Sequence, residues 1–199
     1  MSERFCRIYA VPHAIDTLRE ILRHLERFGV HLLFPGSEHV IMLDNEGVQH
    51  PATASEVEAS MMASKPISMQ LWINSSHDVY CRLRKLDSVL SADLGMDGMT
   101  TEEMHAFVNN IVYMVRDLAL RKMIRGLVVD CLGDFAEYDW DRMLVGGGAI
   151  EEPPVPTILG FIRGALDPEM CTKRGMACEI SGDLVLLFSR GWMEGVCRS

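Results

Sequence analysis

Residues 75–95 read SSHDVYCRLRKLDSVLSADLG. Val79, Leu83, Leu86, Leu90 and Leu94 recur at steps of three and four, the repeat that lines one face of an α-helix. Ser75 or Ser76 can cap the first turn with a side-chain oxygen, and Gly95 can end the last one. The stretch is therefore predicted as a helix, with Arg82, Arg84 and Lys85 on its solvated side. These three bases adjoin Arg7 only if the fold brings the two segments together.

Downstream, Met96-Asp97-Gly98-Met99 is a turn, and Thr100-Thr101-Glu102-Glu103 matches a capping box, in which the Thr100 hydroxyl and the Glu103 carboxylate satisfy each other's backbone donors. A long helix should follow, striped by Met104, Phe107, Val108, Ile111, Met114, Val115 and Leu118. Gly126 leads into 127–132, an apolar run expected to be a strand covered on both faces. Upstream, 5–11 alternates as a strand until Pro12 opens a helix, which carries Ile15, Leu18, Ile21, Leu22, Leu25 and Phe28 and is capped by Gly29. Residues 30–34 and 39–43 read as a hairpin about Pro35-Gly36-Ser37-Glu38. Residues 45–51 are loop-like, 52–63 a short helix, and 67–73 a strand with Ile67, Met69, Leu71 and Ile73 on one face.

Beyond Asp134 a short helix is expected to run to about Val145. Gly146-Gly147-Gly148 and AIEEPPVP then mark a linker, because Pro153, Pro154 and Pro156 remove donors and forbid helix. Residues 157–166 read as helical despite Gly160 and Gly164, and 177–180 with 184–188 flank Ser181-Gly182-Asp183 as a terminal hairpin. Together these elements predict a layered α+β fold, its sheet or sheets mixed or antiparallel, with long helices packed on one face and a C-terminal hairpin. The expected organisation is a single globular domain over 1–199, with a subdomain boundary near 146–156.

The composition fits an ordinary globular chain: 199 residues, 48% hydrophobic and 24% charged. A formal charge of -9, from 28 acids against 19 bases, sets the long-range field against nucleic acid and anionic lipid and in favour of a basic protein. The six cysteines (Cys6, Cys81, Cys131, Cys171, Cys178 and Cys197) form no CxxC pair and read as reduced thiols, which points to the cytoplasm. No window reaches the roughly 18 apolar residues of a membrane span, and MSERFCRIYAVP lacks a signal-peptide core. Met61, Met62, Met69, Met104, Met114 and Met123 read as fillers of core gaps.

The candidate site lies in 126–141, GLVVDCLGDFAEYDWD. Carboxylates interleaved with large aromatics can dock a basic partner, the rings giving desolvated area while the charges steer. Asp134, Glu137, Tyr138, Asp139, Trp140 and Asp141 are the candidate partner-binding residues, with Tyr138 and Trp140 as anchors. The same run also reads as a plain helix start, with Asp134 as N-cap and Glu137 as its capping-box partner. A calcium loop would need a glycine at its sixth position and a closing glutamate, and neither falls in place.

Catalytic and cofactor motifs give no further lead. The seven histidines, His13, His24, His31, His39, His50, His77 and His105, form no HExxH and no zinc quartet with the cysteines. Cys81 and Cys131 read as buried thiols in preference to nucleophiles. The triple glycine lacks the phosphate-loop pattern and is followed by Glu151 and Glu152, which repel phosphate. No cofactor and no metal are expected. The expectation is a non-catalytic cytoplasmic protein-binding domain, an inhibitor of a basic partner in the manner of immunity or antitoxin proteins. The alternatives are a small-molecule enzyme with a dispersed site around Asp130, at the end of its predicted strand, and an obligate oligomer subunit.

Overall fold

Thr100 and Glu103 form the reciprocal capping box that their spacing implies: the Thr100 side chain accepts from the Glu103 amide, and the Glu103 carboxylate accepts from the Thr100 amide at 2.9 Å. The helix they start, α3 (Thr101–Leu120), buries the whole predicted stripe from Met104 to Leu118. In the computed structural model, which describes residues 4–12, 14–146, 154–165, 169 and 174–192, the remaining elements run β1 (Phe5–Ala10), α1 (Ile15–Arg27), β2 (Val40–Leu43), β3 (Gln49–Ala52), α2 (Ala54–Met62), β4 (Ile67–Asn74), β5 (His77–Leu86) and β6 (Val89–Gly95) ahead of α3. After it come β7 (Ile124–Asp130), α4 (Trp140–Leu144), β8 (Ile158–Ile162), β9 (Ala177–Ser181) and β10 (Leu184–Phe188).

The strands form one ten-stranded sheet in the order β3-β2-β4-β5-β6-β1-β7-β8-β10-β9, and every pairing is antiparallel. The fold is α+β and dominated by sheet. Alternation along each strand splits the core in two. Cys6, Ile8, Ala10, Leu127 and Val129 join the apolar sides of α1, α2 and α3 in one cluster. Phe5, Tyr9, Val128, Leu159 and Phe161 face the other way and meet Trp140, Met143 and Leu144.

Residues 75–95 are not a helix. They are β5 and β6, an antiparallel pair closed by Asp87-Ser88, with Leu86 opposite Val89. Val79, Cys81 and Leu83 are buried while Asp78, Tyr80 and Arg82 are exposed, which is the period of two that a half-covered strand requires. Ser75 and Ser76, expected as helix caps, lie in the turn that joins β4 to β5, where the Asn74 side chain accepts from the Ser76 amide at 2.9 Å. The second half of the stretch, Leu90, Ala92 and Leu94, turns the same way as Val79, Cys81 and Leu83 and completes the covered surface.

Other expectations shift with it. Residues 30–34 contribute only the isolated bridge His31–Trp72, and β2 pairs instead with β3, in the stretch read as loop. Residues 157–166 hold β8, not a helix. It is wedged between β7 and β10, where a Cβ on Gly160 would lie 3.0 Å from both Leu127 Cβ and Leu186 Cδ2. Met62 is 68% exposed, so it fills no core gap, whereas Met61, Met69, Met104 and Met114 are buried. The terminal hairpin forms as read, with Gly182 at φ 61° in its turn. Most of the proline-rich linker lies outside the described residues. On its two sides, β7 and β8 are neighbours in the same sheet, Val129 opposite Ile158.

Candidate binding face

The acidic stretch begins where β7 ends, at Asp130, which is 1% exposed. One carboxylate oxygen accepts from the amides of Leu132 (3.2 Å) and Gly133 (3.0 Å), and the other from Phe135 (2.7 Å). A buried carboxylate is tolerable when backbone donors surround it in this way. Both oxygens of Asp130 thereby accept from the amides that fold the turn.

The helix start lies later than Asp134. Asp139 is the N-cap of the five-residue α4 and accepts from the Arg142 amide at 3.0 Å, so Asp134 and Glu137 are not its capping pair. Trp140 is wholly buried, and its indole N–H donates to the Phe135 carbonyl at 3.0 Å. Its ring packs edge-on against Tyr138 at 4.7 Å. Trp140 therefore cannot serve as a surface anchor. It covers the second face of the sheet, which Phe5, Tyr9, Val128 and Phe161 leave apolar. Gly126 of β7 makes room for this cover, because a Cβ there would lie 3.0 Å from Leu144 Cδ1.

What the loop shows to solvent is narrower than the sequence implies. Asp134, Glu137 and Asp139 are exposed and Tyr138 is half-buried. Burial, followed by the Asp139 charge, raises the Tyr138 pKa.

Asp141 turns back toward the sheet. It accepts from Arg84 at 2.6 Å, from the Tyr9 hydroxyl at 2.8 Å and, more loosely, from Arg7 at 3.5 Å. Asp93 accepts from Arg7 at 2.5 Å and from Arg84 at 3.3 Å. Two guanidiniums and two carboxylates thus share a partly buried network that ties α4 to β1, β5 and β6. Burial alone would raise the Asp141 carboxyl; hydrogen bonds from Arg84 and Tyr9, with the charges of Arg84 and Arg7, outweigh it and hold the pKa below its ordinary value. Burial also works against the Arg7 cation, but Asp93 and Tyr9 together outweigh it, so that its pKa is raised. The Tyr9 hydroxyl is pushed up, mostly by burial. Sequence reasoning missed Arg7, Tyr9 and Asp93 as members of one site. Their only signal was a charge or hydroxyl at alternate positions of apolar strands.

Beside this network the face that carries α4 forms a cleft of about 610 Å³, floored by β1, β5 and β6 and bordered by the acidic loop at Ala136. Arg82, Asp93 and Arg7 line it as one cross-strand row, which Ser68 of β4 continues. Asp78, Tyr80 and Asp97 also line it. Thiol chemistry has no foothold here: Cys6 and Cys81 are buried, and burial raises the pKa of each, which suppresses the nucleophilic thiolate. Among the described residues, no three His, Cys, Asp or Glu side chains converge as a metal-binding set, and no helix is long and apolar enough to cross a membrane. No protein-family model, no curated protein and no solved structure matches the chain.

Proposed function

We propose that the chain is a protein-binding module whose acidic loop, with the sheet face beside it, receives a basic protein partner. The observation that carries this reading is the division of labour within the loop. Asp130, the Asp139 cap and Trp140 hold it from inside, while Asp134, Glu137 and Asp139 keep their charge in solvent. A loop held in shape before encounter costs little backbone ordering entropy on binding, and the field of a chain at -9 accelerates the approach of a cation. An inhibitor that occupies the anion-binding surface of a nucleic-acid-directed enzyme, in the manner of immunity or antitoxin proteins, is the form of the reading that this steering favours. Free thiols at Cys6, Cys81, Cys131 and Cys178 suit the cytoplasm as its compartment.

The test is affinity capture from the native source at low and moderate salt, with wild type beside Asp134→Asn/Glu137→Gln. Neither residue braces the loop, so the double variant folds normally. A partner held by wild type at both salts and depleted about tenfold by the variant supports the reading. Equal capture by the two proteins, or no partner at either salt, overturns it.

A further inference from the structure

We infer that the cleft grips an extended, amphoteric segment of that protein partner, with the segment's cation over Asp78 and its anion over Arg82. This rests on the binding-module reading and assigns it a second contact, separate from the acidic loop. Asp78, Tyr80 and Arg82 alternate with buried Val79, Cys81 and Leu83, so the three share the open face of β5. The two charges stand four positions apart along the strand, a span of roughly 13 Å.

The rest of the cleft sorts its charge along the same axis. At the Asp78 end stand Asp78 and Asp97 against Arg4, whose guanidinium reaches Asp97 only at 3.5 Å. At the Arg82 end Arg7 and Arg82 line the cleft against Asp93, with the Arg84–Asp141 ion pair adjoining them. One end thus carries a net negative charge and the other a net positive charge. Arg82 has no ion-pair partner among the described residues. Asp78 is held by the neutral Gln70 amide at 2.9 Å, so its charge is free to meet a cation.

The middle of the cleft suits a main chain lying flat. Tyr80 is 42% exposed, and its hydroxyl is within 3.0 Å of Ser68 Oγ. Gly95 beside it adds no side chain. In an extended peptide, residues i and i+4 project to one side with the spacing that separates Asp78 from Arg82. A second copy of this chain is the weaker occupant. The two-fold arrangement that sets Asp78 of each copy against Arg82 of the other also brings the two acidic loops to the same side, where like charges repel.

The experiment follows backbone amide shifts of the full chain during titration with the blocked peptide acetyl-Lys-Gly-Ser-Gly-Glu-amide, with Lys/Lys and Glu/Glu versions as controls. Saturable shifts at Val79, Tyr80, Arg82 and Gly95 are expected, with each control about threefold weaker, and Asp78→Asn and Arg82→Gln each weakening the mixed-charge peptide about threefold. Equal binding of the three peptides, or no shift at millimolar peptide, overturns the inference. So do shifts confined to 134–141, which would leave the binding-module reading standing. A solution mass of two chains that falls to one in Asp78→Asn also overturns it, giving the face to a second copy. If loop neutralisation leaves capture unchanged while the β5 shifts persist, the acidic-loop reading fails alone.

Discussion

Asp141→Asn tests the charged network that joins α4 to the sheet. The substitution keeps the shape of the side chain and removes its charge. Arg84 and Arg7, with side chains 21% and 17% exposed, are then left to share Asp93 alone. Stripping one partner from a fully buried pair costs about 3–5 kcal/mol. Solvent still reaches this network, Asp141 itself being 25% exposed, so the expected loss is about 2 kcal/mol. For a chain of this size that lowers Tm by about 4–8 °C. Urea unfolding and calorimetry at pH 7 give the value.

The pH profile identifies the cause. Because the folded carboxyl titrates below the unfolded one, its contribution is complete above about pH 4 and disappears as pH falls through the folded value. The gap between wild type and variant should therefore hold steady from neutrality to about pH 5 and close below about pH 4. Replacing Arg84 with Met in the same chain removes the stranded cation and should restore part of the loss. Stability within about 0.5 kcal/mol of wild type at pH 7, or a gap of unchanged size near pH 3, would refute the reasoning.

Three further outcomes follow from the same geometry. Trp140→Ala should cost about 3–5 kcal/mol and speed amide exchange across 131–139, whereas Trp140→Phe keeps most of the packing and loses about 1 kcal/mol with the bond to Phe135; unchanged exchange in the alanine variant would show that the ring does not brace the loop. His24 is buried, and that burial depresses its pKa despite Asp117 at 3.2 Å, so stability should decline as pH drops below the unfolded value of about 6.5 and His24→Gln should flatten the slope between about pH 7 and 5. Thiol labelling read by peptide mass should mark exposed Cys178 within minutes and Cys6 and Cys81 only on unfolding; prompt reaction at Cys81 would contradict the placement of β5.

The helices were legible where local chemistry and burial agree. At Thr100 the cap, the acidic first turn and the apolar stripe all specify one helix, and α3 follows them. Residues 75–95 misled because a hairpin can imitate a helical repeat. Val79 and Leu83 face the helices from β5, Leu90 and Leu94 from β6, and the turn at Asp87-Ser88 reverses the chain between them. Sampled at every fourth residue, inward positions of two strands give the spacing of one helix face. The residues that complete the alternation, Cys81 and Ala92, are too small to dominate a hydrophobicity count. β3 and β8 were hidden for other reasons. Gln49–Ala52 is polar because it is an edge strand, and Ile158–Ile162 is too short to show a period.

Two readings of the site were in tension within the sequence itself. A strand at 127–132 covered on both faces needs something to cover its second face, and the nearest chain able to do so is the segment that follows it. Trp140 and Tyr138 could therefore not both stay at the surface unless Val128 was left uncovered. Short loops close at small entropic cost, so the adjoining segment folds back, and Trp140 settles over Tyr9, Val128 and Phe161. The acids then divide according to what each can reach. Asp130 and Asp139 meet nearby amides, Asp141 meets arginines, and Asp134 and Glu137 remain in water. That last partner set lay beyond the reach of sequence reading: Arg84 is 57 positions from Asp141 and Arg7 is 134. Only the strand order, which sets β1 beside β6 and β6 beside β5, brings the two arginines under α4.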